Sequence, residues 1–293
     1  MNRIKKFIVF LFPLVSFSGI ATAGGNLIQV DPSDSAQVIE RKWDERMMPI
    51  SWVLSEDGIP ESAISNADIV NEFTAAFDTW QSISTSAISF SYEGEVARRK
   101  SGLGGALSNG IDGYNLVTFT DPDVVFPPGV VGLAMTFSFS ADVVIDETNN
   151  DIDGDGFQDV PNGLYVRGTI FDGDIIFNSS LNYSTSGANS TLDIRAIALH
   201  EVGHFFGLSH SSIDAAVMYP FLSTDTAQAR TLHADDIGYT SLFYPEEPAY
   251  SSTLGTITGN ISSGFDGAGI LGAHVYAVDI ASGEKRVGAY SLI

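Results

Sequence analysis

Apolar residues recur three and four apart along Ile69, Val70, Phe73, Ala76, Phe77, Trp80 and Ile83. That spacing predicts an amphipathic helix burying one stripe. Ser65 is its expected N-cap, with Asp68 in the first turn. A second helix is expected from a Thr191 cap through His204, ending at Gly207. A third is expected to start near Ala234-Asp235-Asp236 and to end by Phe243-Tyr244-Pro245. Alternation or short apolar runs predict strands at Pro49–Leu54, Ile88–Tyr92, Asn115–Phe119, Val131–Phe139 and Thr169–Phe177. This mixed order predicts an α+β domain with a twisted, mostly parallel sheet and three main helices. Pro245 to Pro248 reads as a linker, after which residues 248–293 turn to Gly, Ser and alternating apolar positions such as His274–Val278. A short all-β C-terminal segment is expected there, the possible opening of a β-sandwich. Residues 100–113 are glycine-rich, but no strand precedes and no helix follows, so a loop is expected rather than a phosphate cradle.

Composition narrows the chemistry. At 293 residues, with 44% hydrophobic and 17% charged positions, a packed core is expected. The net charge of -22 repels phosphate backbones and argues against a nucleic-acid partner. With no cysteine, disulfides, thiolate metal sites and a cysteine nucleophile are excluded. Arg3, Lys5 and Lys6, the apolar run Phe7–Phe17 and Ala21-Thr22-Ala23 read as a signal peptide over residues 1–23. The run is shorter than the ~20 residues a membrane span needs, and no later stretch would span. The reading is a secreted chain, extracellular, cell-surface or periplasmic, with 24–247 as the main domain and oligomeric state open.

Three of the five histidines fall in His200-Glu201-Val202-Gly203-His204-Phe205-Phe206-Gly207-Leu208-Ser209-His210, a match to H-E-x-x-H-x-x-G-x-x-H. His200 and His204 are one helical turn apart and leave the same face. Gly207 supplies a left-handed residue for a sharp turn, and His210 swings back as third ligand. Three neutral imidazoles leave one position open, the pattern of a catalytic zinc. Glu201 stands beside the pair as general base toward a zinc-activated water.

This segment resembles the metzincin zinc metallopeptidases, and Ser211 after the third ligand resembles their matrixin branch. Ala216-Val217-Met218-Tyr219-Pro220 resembles the family's Met-turn, which implies Met218 as an apolar floor under the zinc. Leu232 to Gly238 with Leu242-Phe243-Tyr244 resembles the matrixin C-terminal helix, and Ala76-Phe-Asp-Thr-Trp80 its first helix. The resemblance implies that Asp235 and Asp236 tie that helix to the Met-turn and to the N-terminal region. It also implies an extended peptide paired along the strand bearing Leu133 and Ala134, and a pocket walled by Tyr219, Pro220 and residues 221–231 that takes an apolar side chain. Met135 stands where animal matrixins place a structural-zinc histidine, so one zinc is expected, and the absence of cysteine excludes a cysteine switch.

Asp151, Asp153, Asp155, Gly156 and Asp159 follow EF-hand spacing, with the Phe157 carbonyl as backbone ligand. Position 12 is Asn162 rather than Glu, which weakens closure. Calcium is the expected second metal, a solvated acidic turn the alternative. His233 is expected at the surface near a helix cap, and His274 has no assigned role. The leading function is a secreted zinc endopeptidase acting on peptide or protein. A matrixin-fold surface binding or adhesion module without turnover, and a zinc hydrolase of non-peptide bonds, are the alternatives.

Overall fold

Strands β3 (Lys42–Trp43), β4 (Ile50–Ser55), β5 (Phe90–Val96), β6 (Leu116–Thr118), β7 (Gly132–Ser138) and β10 (Thr169–Phe177) form the central sheet; β1 (Ile28–Asp31) and β2 (Asp34–Glu40) make a separate ribbon ahead of it. The computed structural model describes residues 28–31, 34–97, 113–152, 156, 158–188, 191–223, 225–270 and 273–290. The signal-peptide reading and residues 100–112 of the glycine-rich loop lie outside them. Strand β4 pairs in parallel with β5 and β6, and β10 pairs in parallel with β6 and β3. Only β7 runs antiparallel, along the other side of β10. The fold is α+β with a mostly parallel sheet, as the pattern predicts.

Helix α1 (Asn66–Gln81) is capped as predicted. The Ser65 hydroxyl accepts the Asp68 N–H, and the Asp68 side chain reaches back to the Ser65 N–H. Its stripe Ile69, Phe73, Ala76, Phe77 and Trp80 is buried. Full burial of an aromatic such as Phe73 stabilises by about 1.5–3 kcal/mol. Helix α2 (Ile194–Phe205) packs on α1, and the Trp80 indole N–H donates to the Leu199 carbonyl at 2.8 Å.

The start of α2 departs from expectation. Its cap is Asp193, whose side chain accepts the Ala196 N–H at 3.2 Å. Thr191 instead bonds Ser184 and the Ala188 carbonyl. The physical reason is that β12 (Leu192–Asp193) first pairs with β11 (Tyr183–Ser184), which holds the chain extended for two more residues. The helix ends at a junction of distant segments. The Trp43 indole donates to the Phe205 carbonyl at 3.0 Å and the Tyr244 hydroxyl to the Phe206 carbonyl at 2.6 Å. The Trp43 N–H in turn donates to the Tyr244 hydroxyl at 3.0 Å.

A ribbon of β8 (Val143–Ile145) and β9 (Gly163–Tyr165), not foreseen, flanks the acidic segment. Phe139, Ile145, Val160 and Tyr165 form a small second core beneath it. Past α3 (Thr226–Ala229) and α4 (Ala234–Phe243), the linker runs into a short helix, α5 (Ala249–Thr253), which the all-β reading of this stretch did not foresee. Strands β13 (His274–Val278) and β14 (Lys285–Tyr290) then make an antiparallel hairpin packed on α4. No helix among the described residues is long and apolar enough to cross a membrane.

Candidate metal centre

Helix α2 presents His200 and His204 one turn apart, with ring centroids 4.8 Å apart. Gly207 then adopts φ 113°, the left-handed conformation expected for the turn. A side chain there would also collide with the Arg41 carbonyl. The Leu208 N–H closes back on the Gly203 carbonyl at 2.9 Å. The chain returns with His210, whose ring lies 4.7 Å from that of His204. One nitrogen from each of the three histidines falls within 4.8 Å of the other two.

The donor set fits a zinc ion. The Nδ1 atoms of His200 and His204 lie 2.7 Å from the carbonyls of Val217 and Leu208. A carbonyl only accepts, so each Nδ1 carries the proton and each Nε2 keeps its lone pair for a metal. Burial lowers the pKa of all three rings. His204 is also repelled by His210 and His200, and His210, repelled by His200, falls to about 3. Neutral imidazoles are the form a divalent metal binds.

Glu201 leaves α2 toward edge strand β7. It is 5% exposed and accepts the Ala134 N–H. Burial pushes its carboxyl up to about 8, against the pull of that hydrogen bond. The carboxylate comes so close to β7 that a Cβ on Gly132 would lie 2.8 Å from its Oε1. Gly132 is thus part of the site, as is Gly203, which lies against Met218. Neither position stands out in the sequence, because each is needed only for the approach of a distant element.

Met218 is 2% exposed, and its carbonyl accepts the Ser211 N–H at 2.7 Å. Asp236 on α4 accepts the N–H groups of Val217 (2.8 Å), Met218 (3.1 Å) and His233 (2.8 Å). It therefore ties α4 to the turn carrying the carbonyl that orients His200. Among the described residues, Asp235 meets Ser211 and the C-terminal hairpin rather than the N-terminal region that the resemblance implied. Its carboxylate accepts the Ser211 hydroxyl at 2.5 Å and the Gly288 N–H of β14 at 2.8 Å. His233 is likewise not a surface residue. It is the N-cap of α4, its side chain is 8% exposed, and its Nε2 lies 3.3 Å from Glu284. The hairpin covers it. His274 meets Ser212, two residues past the third ligand.

Leu133, Ala134, Tyr219 and Pro220 line one cleft with the three histidines and Glu201, enclosing a cavity of about 100 Å³. Ala196, Ile197, Val217 and Ala229 give it apolar walls. Of the acidic loop, Asp151 accepts the Gly156 N–H at 3.0 Å and Asp159 the Ile152 N–H at 2.5 Å. Asp153, Asp155 and Phe157 lie outside the described residues.

Residues 135–244 match the Matrixin family. The chain is 35% identical to matrilysin of Rattus norvegicus over 103 residues, covering 33% of this chain and 38% of that protein. It is 27% identical to metalloendoproteinase 2-MMP of Arabidopsis thaliana over 128 residues, covering 41% and 34%. To karilysin of Tannerella forsythia it is 38% identical over 64 residues, covering 22% and 12%. The matched stretch is thus well under half the length of each relative. The match over residues 135–244, this fold and this histidine cluster support a matrixin-like metzincin. Zinc is the metal this family implies at the three histidines.

Proposed function

We propose that the chain is a secreted zinc-dependent endopeptidase with Glu201 as general base. The observation that carries this reading is the buried Glu201 carboxylate, held between the histidine-bearing helix and an edge strand. His200, His204 and His210 would hold the zinc, which when bound supplies Lewis acidity toward a water and a carbonyl oxygen. Glu201 takes the proton of the attacking water on a carboxylate oxygen and delivers it to the leaving nitrogen. The Ala134 N–H and the bare backbone of Gly132 hold that carboxylate in place. An extended peptide adds along the side of β7 away from β10, at Leu133 and Ala134, by strand pairing. The apolar walls and the small cavity suit one buried apolar side chain against Tyr219 and Pro220.

Hydrolysis of a peptide library by the mature chain tests this, with Glu201→Ala and a chelator as controls. Loss of roughly 10²–10⁴ in kcat/KM is expected for Glu201→Ala with zinc retained. Equal inertness of wild type and variant, both zinc-loaded, sinks the enzyme reading. Export predicts that the secreted chain begins near Gly24, which terminal sequencing checks. Calcium at the 151–159 loop is proposed on its carboxylate spacing alone. Calorimetry giving no heat of calcium binding removes that part.

A further inference from the structure

We propose that the C-terminal hairpin positions the metal centre, the Gly288 N–H holding Asp235 and, through Ser211, the loop that carries His210. The inference rests on zinc at the histidine cluster and not on turnover.

Asp235 is 1% exposed, and among the described residues each carboxylate oxygen has one donor. The Ser211 hydroxyl bonds Oδ2 and the Gly288 N–H bonds Oδ1. Ser211 follows His210 directly. Its own N–H closes on the Met218 carbonyl, and its hydroxyl oxygen accepts the Ile213 N–H at 3.0 Å. The loop from His210 to Met218 is therefore pinned at Ser211, and Ser211 is pinned by Asp235.

The hairpin side is equally committed. Gly288 pairs in register with Tyr276 across the hairpin, yet its N–H goes to Asp235 and its carbonyl accepts the Tyr239 hydroxyl at 2.6 Å. Both its backbone groups thus serve α4. A Cβ on Gly288 would lie 3.1 Å from both His274 Nε2 and Ser212 Oγ, so the close approach uses its missing side chain. Val287 packs against Gly238, His274 meets Ser212, and Glu284 faces His233. Lifting the hairpin would strip Oδ1 of its donor and open Asp235 to water. Water then competes for the carboxylate that holds Ser211. Departure of the hairpin and loosening of the His210 loop are therefore one event.

Gly288→Pro in the full chain removes this N–H and spares the Tyr239 acceptor. Zinc transfer from the variant to an excess of chromophoric chelator is expected to be about ten- to a hundredfold faster than from wild type. The visible spectrum of the cobalt-substituted variant should shift, and kcat should fall at unchanged KM. Wild-type transfer rates with an unchanged cobalt spectrum overturn the proposal. Native-state hydrogen exchange on the wild type needs no variant and decides the case if Gly288→Pro does not fold. The Gly288, Ser211 and Val217 amides are expected to open together, and Gly288 opening ahead of the other two overturns it. A chain that cleaves no peptide yet releases zinc faster as Gly288→Pro retains this proposal and loses the peptidase reading.

Discussion

The sulfur of Met218 occupies the space where a side chain on Gly203 would begin, between the two helical ligands. The Trp80 ring closes the same space at 3.2 Å. Gly203→Ala must therefore displace the Met-turn or bend α2. A loss of about 1–3 kcal/mol is expected, as for overpacking of a well-filled core. Met218→Ala in the same chain should restore part of it, so the two substitutions should be non-additive in a denaturation cycle. Additive losses would show that the sulfur does not set this contact.

Gly132→Ala probes the other glycine of the site. Its Cβ would meet the Glu201 carboxylate and push it off the Ala134 N–H. A fall on the order of 10² in turnover is expected from a displacement of about 1 Å, with zinc content unchanged. Metal analysis beside kcat checks it, and an unaltered kcat argues against the placement of Glu201.

Asp193 serves twice. It caps α2 and accepts two bonds from Arg230, at 2.9 and 2.8 Å. Arg230 follows Ala229 in the cleft wall and also donates to the Thr185 carbonyl at 2.7 Å. Asp193→Ala should cost about 2–3 kcal/mol, the cap and the two charged bonds together, since Arg230 keeps Glu72 at 4.0 Å and the Thr185 carbonyl. Urea denaturation measures it, and a loss near that of a simple cap, about 1 kcal/mol, would demote the ion pair.

Zinc removal should make the chain acid-labile. Burial, then repulsion from His200, brings His210 from 6.5 to about 3. Between those limits the metal-free folded chain binds fewer protons than the unfolded chain. The stability His210 contributes is whole above pH 6.5 and is lost as pH falls toward 3. In metal-free protein, His210→Gln should make the decline with acid shallower by up to about 1.4 kcal/mol per pH unit. Parallel pH curves for the two chains would refute this.

The three-and-four spacing made α1 legible, because its apolar stripe meets the core directly. The start of α2 was not, since Thr191 and Asp193 are both good caps and only the pairing of β11 with β12 chooses between them. Strands β8 and β9 are three residues each, too short for a periodic signal. The spacing of His200, Glu201, His204 and His210 reads directly as one site, because a helix turn and a glycine turn relate those positions by local geometry alone. The Val217 and Leu208 carbonyls that orient the rings are backbone groups, invisible in residue identity. The burial of His233 depends on a hairpin contributed some fifty positions later.

The junction at the end of α2 also sets how short a folding piece of this chain can be. Carbonyls 205 and 206 have their donors in Trp43 and Tyr244, which bond to one another. Trimming past either aromatic, by a protease or by design, would fray the helix that carries two metal ligands from its far end. Digestion that removes either aromatic should accordingly cost the chain its grip on the metal even with every ligand present, over and above what loss of the C-terminal hairpin costs.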